Sequence, residues 1–263
     1  MKETLQSFER LLSIMNELRE KCPWDREQTI SSIRPLTIEE TYELSEAILE
    51  GDMQNIRKEL GDILLHIVFY AKIASETSDF TMKDVIDGLC DKLIYRHPHV
   101  FGERRADTSG QVVKNWEQLK LKEKDGNKTV LSGVPSSLPT LIKARRVQEK
   151  ARAVGFDWER REQVWDKVQE ELDELRVEIE KMDTQKMESE FGDLLFAIVN
   201  AARLYDVDPE TALERTNKKF IRRFGYLEQQ TIKKGRSLTE MTLEEMNKIW
   251  EEAKATENLN VEN

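Results

Sequence analysis

Apolar positions along this chain recur at three- and four-residue steps, and runs that alternate with period two are almost absent. That periodicity predicts amphipathic helices throughout and no sheet. The clearest case is a duplicated segment: residues 39–71 and 170–202 align without gaps, and 14 of 33 positions are identical. The shared apolar positions include Leu44/Leu175, Ile48/Ile179, Leu64/Leu195, Val68/Val199 and Ala71/Ala202. In the first copy the pattern predicts one helix from Thr37 to Glu50 and a second from Met53 to Ser75. Gly51-Asp52 suits the turn between them, with glycine ending one helix and aspartate capping the next. Met182-Asp183-Thr184 takes that place in the second copy, without the glycine. Further helices are predicted over Leu11–Glu20 and Leu141–Arg152 ahead of the copies, and over Met82–Arg96 and Pro209–Glu228 behind them. Gly, Ser and Pro gather in KDGNKTVLSGVPSSLP, the natural linker. The expected fold class is all-α: two tandem helical bundles, residues 1–125 and 140–263, joined by a linker at 126–139. A loop is expected near 102–110 and a frayed polar tail at ATENLNVEN.

The duplicated segment carries a fixed pattern of acids. Glu39, Glu40 and Glu43 are followed by Glu59 and Asp62; Glu170, Glu171 and Glu174 are followed by Glu190 and Asp193, with the same spacing. Residues three apart on a helix share a face. Two antiparallel helices would therefore bring Glu40, Glu43, Glu59 and Asp62 across a narrow gap, and Glu171, Glu174, Glu190 and Asp193 likewise. Left without cations, such clusters suffer like-charge repulsion. A donor set made of oxygen alone favours Mg²⁺, with Mn²⁺ as a substitute. An isolated acidic pair is usually a solvated face. Here the repeated register and the apolar neighbours in GDILL and GDLLF weigh toward metal ligation.

Composition narrows the chemistry. With 51 acidic against 41 basic residues the formal charge is −10, which argues against broad binding to a nucleic-acid backbone. A phosphorylated small substrate remains compatible if metal ions bridge the like charges. Cys22 and Cys90 are the only cysteines and imply no disulfide framework. The charged N-terminal helix is not a signal segment and no apolar run is of membrane-spanning length, so a cytoplasmic location is expected.

Taken together, the acid pattern, the ELGD and EFGD cores, Cys22-Pro23-Trp24-Asp25, Arg96-His97-Pro98-His99-Val100-Phe101 and Val154-Gly155-Phe156-Asp157-Trp158 resemble the MazG family. Its members are tandem-repeat nucleoside triphosphate pyrophosphohydrolases of the all-α NTP pyrophosphatase superfamily. The resemblance covers nearly the whole chain. It implies Mg²⁺-dependent hydrolysis of NTPs or dNTPs, over a broad base range, to the monophosphate and pyrophosphate, in a homodimer.

Such a reaction needs an activated water, charge neutralisation and a pyrophosphate leaving group, which carboxylate-held metal ions supply. The expected metal ligands are Glu171, Glu174, Glu190 and Asp193, with Glu40, Glu43, Glu59 and Asp62 as a second, less active site. Glu170 and Glu171 are the candidate catalytic residues, Glu170 for aligning or deprotonating water. The substrate-binding candidates are Lys167, Lys186, Lys219, Phe220, Arg222, Arg223 and Trp250. Lys167 stands where the first copy has Leu36, and the basic run TNKKFIRRF has only a proline-broken counterpart, so most activity is expected in the C-terminal module. Trp250 and Trp116 read either as base-stacking platforms or as core anchors. The loop carrying Phe156-Asp157 reads as a lid or as a cap on the bundle. His66, in an apolar stretch, reads as a satisfied core histidine.

Three other readings compete. A di-iron bundle would want Glu-x-x-His motifs, and the second half has no histidine. An acidic interaction scaffold would not need every motif acid in both halves. A phosphoribosyl or dUTP pyrophosphohydrolase would share the fold and differ in pocket shape.

Overall fold

The computed structural model describes residues 1–103, 105–122, 129–233 and 235–261, and among them there is no β-strand. Contacts divide the chain into Met1–Leu119 and Lys120–Asn263. Part of the expected linker, residues 126–128, lies outside the described residues, as do positions 262 and 263 of the tail.

The first unit runs α1 (Lys2–Lys21), α2 (Pro23–Glu27), α3 (Ile30–Glu50), α4 (Met53–Glu76), α5 (Met82–Arg96) and α6 (Pro98–Phe101), and α7 (Ser109–Lys122) follows. Helix α3 begins seven residues earlier than its pattern suggests. Thr29 and Ser32 form a reciprocal capping box that starts the helix, and Pro35 then sits inside it, in its second turn, without ending it. The cap satisfies the free N–H groups that would otherwise disfavour an early start. Helices α3 and α4 pack along each other. Met15 of α1, Ile33 of α3, and Val68 and Phe69 of α4 form the core, with Phe8, Leu11, Leu12 and Leu65 packed around it.

The second unit contains α8 (Thr140–Ala153), α9 (Val164–Lys181), α10 (Thr184–Leu204), α11 (Pro209–Lys233) and α12 (Leu243–Val261). Helices α9 and α10 repeat the α3–α4 hairpin, while α8 lies against α10 and α11, and α11 against α12. The repeat extends to the core: Ile33 and Val164 occupy matching positions and both are fully buried, as are Val68 and Val199. The expected polar tail is helical over its described part. Helix α12 continues to Val261, and Glu257 on it is held by Arg222 at 2.6 Å and Arg223 at 2.8 Å. No helix among the described residues is long and apolar enough to cross a membrane.

The two hairpin turns differ in strain. Gly51 ends α3 in the left-handed region at φ 71°, and Met182 ends α9 there at φ 57°. A side chain in that region costs about 1 kcal/mol because its Cβ crowds the backbone. Met182 is 78% exposed, so little packing opposes the relief. Met182→Gly is therefore expected to raise stability by about 0.5–1 kcal/mol in chemical denaturation; a loss of stability would contradict this account of the turn.

Candidate functional site

In each unit the hairpin brings three acids together. One oxygen each from Glu40, Glu43 and Glu59 lie within 4.8 Å of one another, and the same holds for Glu171, Glu174 and Glu190. Asp62 and Asp193 are not in these tight groups, but both act on them. Burial, followed by the charges of Asp62, Glu43 and Glu59, raises the Glu40 pKa. Burial, then Glu174, Asp193, Glu171 and Glu178, raises that of Glu190. Both carboxyls thus hold protons more readily than isolated ones do.

The buried member differs between the copies. In the first it is Glu59 on α4, 1% exposed; in the second it is Glu171 on α9, 6% exposed. Lysine placement differs in parallel. Lys58 reaches Glu59 at 2.9 Å and Asp62 at 3.9 Å, whereas Lys167 reaches Glu171 at 2.7 Å and Glu170 at 2.8 Å. Each copy therefore has one lysine on its acids, from opposite helices of the hairpin. This corrects the expectation that a cation of this kind belongs to the second copy alone. Lys58 escaped notice because its repeat position is Ser189, so aligning the copies hides it.

The donor set suits a hard divalent cation. Glu59 Oε2 is buried with no hydrogen-bond partner, and an orphaned buried carboxylate oxygen is costly unless a cation or donor satisfies it. The second copy holds an additional carboxylate that the pattern did not flag. Glu178 follows Glu174 by one turn, adds to the field at Glu190, and has a buried, unpartnered Oε2. The first copy has Ala47 at that position.

A cleft of about 640 Å³ opens beside the second cluster, lined by Lys167, Glu171 and Asp193 at its polar end and by Val147, Ala151, Phe156, Trp158 and Phe196 elsewhere. Arg203, 5% exposed, anchors its wall. Its guanidinium donates to Asp157 Oδ1 at 2.5 Å and Oδ2 at 3.2 Å, and to Asn200 Oδ1 at 2.7 and 3.0 Å. Burial alone would raise the Asp157 pKa, but the hydrogen bond and charge of Arg203 outweigh it and hold the carboxyl below its ordinary value. The pair pins the Phe156–Trp158 loop. In the first unit Arg19 of α1 holds the matching segment through the carbonyls of Asp25, Arg26 and Gln28. Phe69 takes the repeat position of Asn200 there and is core, 3% exposed.

The remaining substrate-binding candidates are not among the residues that line this cleft. Phe220 packs on Trp250 with ring centroids 5.1 Å apart, Arg223 stands 5.9 Å over the Trp250 ring, and Arg222 joins Arg223 on Glu257. Lys219 is on the same helix. Lys186 pairs with Asp183 at 3.8 Å in the first turn of α10. None of the five aligned on α11 and α12, nor Lys186, lines the cleft. The Arg–Trp contact is itself repeated in the first unit, where Arg96 stands 5.5 Å over Trp116. His66 is buried as expected, and burial lowers its pKa, but it is not satisfied: Nδ1 has no partner.

The description "MazG nucleotide pyrophosphohydrolase domain" matches the chain twice, at residues 28–101 and 160–226. The chain belongs to the MazG family. Both matches contain an acid hairpin, so the duplicated clusters are the family's own domain present twice. Two similar proteins extend the likeness to full length. The nucleoside triphosphate pyrophosphohydrolase/pyrophosphatase MazG of Thermotoga maritima is 48% identical over 97% of this chain and 98% of its own. The nucleoside triphosphate pyrophosphohydrolase of Escherichia coli K12 is 42% identical over 96% and 99%. As a MazG-family member the chain is a hydrolase.

Proposed function

We propose that the chain hydrolyses nucleoside triphosphates, ribo- and deoxyribo- over a broad base range, to the monophosphate and pyrophosphate, mainly in its C-terminal unit. One observation carries this reading: beside the second acid cluster a cleft joins carboxylates, a lysine and aromatic walls. At the matching position of the first unit Phe69 belongs to the packed core. Both full-length relatives named above bear the name of this activity.

Glu171, Glu174 and Glu190, with Asp193 beside them, would hold Mg²⁺ or Mn²⁺, which when bound neutralises phosphate charge and orients the reacting groups. Lys167 is a dependable cation: hydrogen bonds to Glu170 and then Glu171 raise its pKa far above the usual lysine range. It stands at the polar end of the cleft, placed to meet phosphate oxygens. Glu170, half exposed beside it, aligns the attacking water and takes its proton. The water oxygen bonds to the α-phosphorus, the bond to the bridging oxygen breaks, and pyrophosphate leaves with the electron pair. Incubating the chain with a panel of NTPs and dNTPs and Mg²⁺, with separate detection of phosphate and pyrophosphate, tests this. Pyrophosphate and monophosphate in equal amounts are expected; phosphate as first product, or no turnover, would overturn the assignment.

Homodimerisation is part of the proposal. Leu60, Leu64 and Ile67 on α4 and their repeat positions Phe191, Leu195 and Ile198 on α10 are all between 38% and 55% exposed. Apolar stripes at helical spacing on both hairpins call for a covering surface. Light scattering at micromolar concentration is expected to give twice the chain mass.

A further inference from the structure

Two amides on the wall of the cleft are each half used by the protein. Gln148 of α8, 6% exposed, donates from Nε2 to the Phe196 carbonyl at 2.9 Å. Asn200 of α10 accepts from Arg203 through Oδ1. These partners force both orientations, because a carbonyl only accepts and a guanidinium only donates. What remains is an acceptor, Gln148 Oε1, which is buried without a partner, and a donor, Asn200 Nδ2, with no bond among the described residues. Phe196 precedes Asn200 by one helical turn, so the two unused groups belong to neighbouring ground. Both residues line the cleft together with Phe156, Trp158 and Phe196. An orphaned acceptor in a polar corner of an aromatic cleft asks for a ligand that presents a donor next to an acceptor between flat faces.

Resting on the proposed nucleotide chemistry of this same cleft, we infer that Gln148 and Asn200 read the hydrogen-bonding edge of the substrate's base. Every common base offers an adjacent donor and acceptor there: N6–H and N1 in adenine, N4–H and N3 in cytosine, N1–H and O6 in guanine, N3–H and O4 in uracil. The order of the two groups reverses between adenine or cytosine, whose exocyclic group donates, and guanine or uracil, whose exocyclic group accepts, so the pair meets the bases of the two sets with the ring turned over. The first unit has no such pair, since Phe69 stands at the repeat position of Asn200.

Two variants separate this role from a structural one. Gln148→Met removes the acceptor at nearly constant volume and is expected to weaken nucleoside monophosphate binding about ten-fold by calorimetry, the effect of one lost hydrogen bond. Binding of ribose 5-phosphate, which has no base, should not change. Asn200→Asp keeps the oxygen that Arg203 needs but replaces the donor with a second acceptor. Guanine alone presents two neighbouring donors, N1–H and N2–H, so this variant should shift the GTP:UTP ratio of kcat/KM upward about ten-fold. Equal losses with and without a base, or an unchanged GTP:UTP ratio, would overturn the inference. Monophosphate binding lost selectively in a chain that turns over no triphosphate would sustain base reading and sink the hydrolase proposal; turnover with unaltered selectivity would do the reverse.

Discussion

Glu171→Gln should cut pyrophosphate release from ATP about a thousand-fold, while Glu40→Gln in the first copy changes it less than about three-fold. Glu171 is the buried member of the second cluster, contacts Lys167, and lines the cleft. The amide keeps the shape and removes the charge. The loss corresponds to roughly 4 kcal/mol of transition-state stabilisation, the scale on which a ligated metal ion and a fixed cation act together on phosphoryl chemistry. Glu40 occupies the same repeat position, but its unit has Phe69 in the core where the second unit has Asn200 at the cleft. Steady-state kinetics on the two single variants decides between the copies. Similar losses in both would contradict the placement of activity in the C-terminal unit.

The second large effect concerns stability. Asp157→Asn should destabilise the chain by about 3 kcal/mol at pH 7, because it strands the Arg203 guanidinium, whose side chain is 4% exposed. Breaking a buried pair from one side costs this much, since the remaining charge is left without compensation. The neutral amide of Asn200 does not replace the lost carboxylate, and Arg152, the second and more exposed partner of Asp157 at 3.4 Å, loses it as well. The pH dependence follows from the direction of the shift. The folded-state pKa of Asp157 lies below its ordinary value, so its contribution is fully present above the unfolded pKa and is lost as pH falls through the folded one. Wild type and variant should therefore converge in acid, below the ordinary aspartate range, and differ most near neutrality. Denaturation midpoints measured from pH 7 down to pH 3 test this; a gap that stays constant would show that packing, not charge, links the loop to α10.

Arg203 also shows why part of the site escaped the sequence. Motif acids announce themselves because identical residues recur at identical spacing, and spacing on a helix is already geometry. Part of the cleft is built from what differs between the copies: Asn200 for Phe69 and Arg203 for Lys72. A repeat alignment discards those positions as noise unless each is asked what it touches. The basic run on α11 shows the converse. Its charge is legible in the sequence, but its contacts are not: within the second unit Arg222 and Arg223 are joined to Glu257, and Phe220 to Trp250.

From the sequence alone came the helical class, the duplication, the hairpins with their capping aspartates, and the convergence of Glu40, Glu43 and Glu59 and of Glu171, Glu174 and Glu190. All of these depend on local period and on contacts between neighbouring helices joined by a two- or three-residue turn. Tertiary structure decided which acid is buried and where a cleft opens. Those depend on how α1 or α8 packs across the hairpin. In the first unit that packing involves Met15 and Phe69 in a closed core; in the second, Gln148, Asn200 and Arg203 stand at the wall of an open cleft. Buried polar groups must find partners where large apolar ones simply fill space, and no local pattern records which partner lies across the bundle.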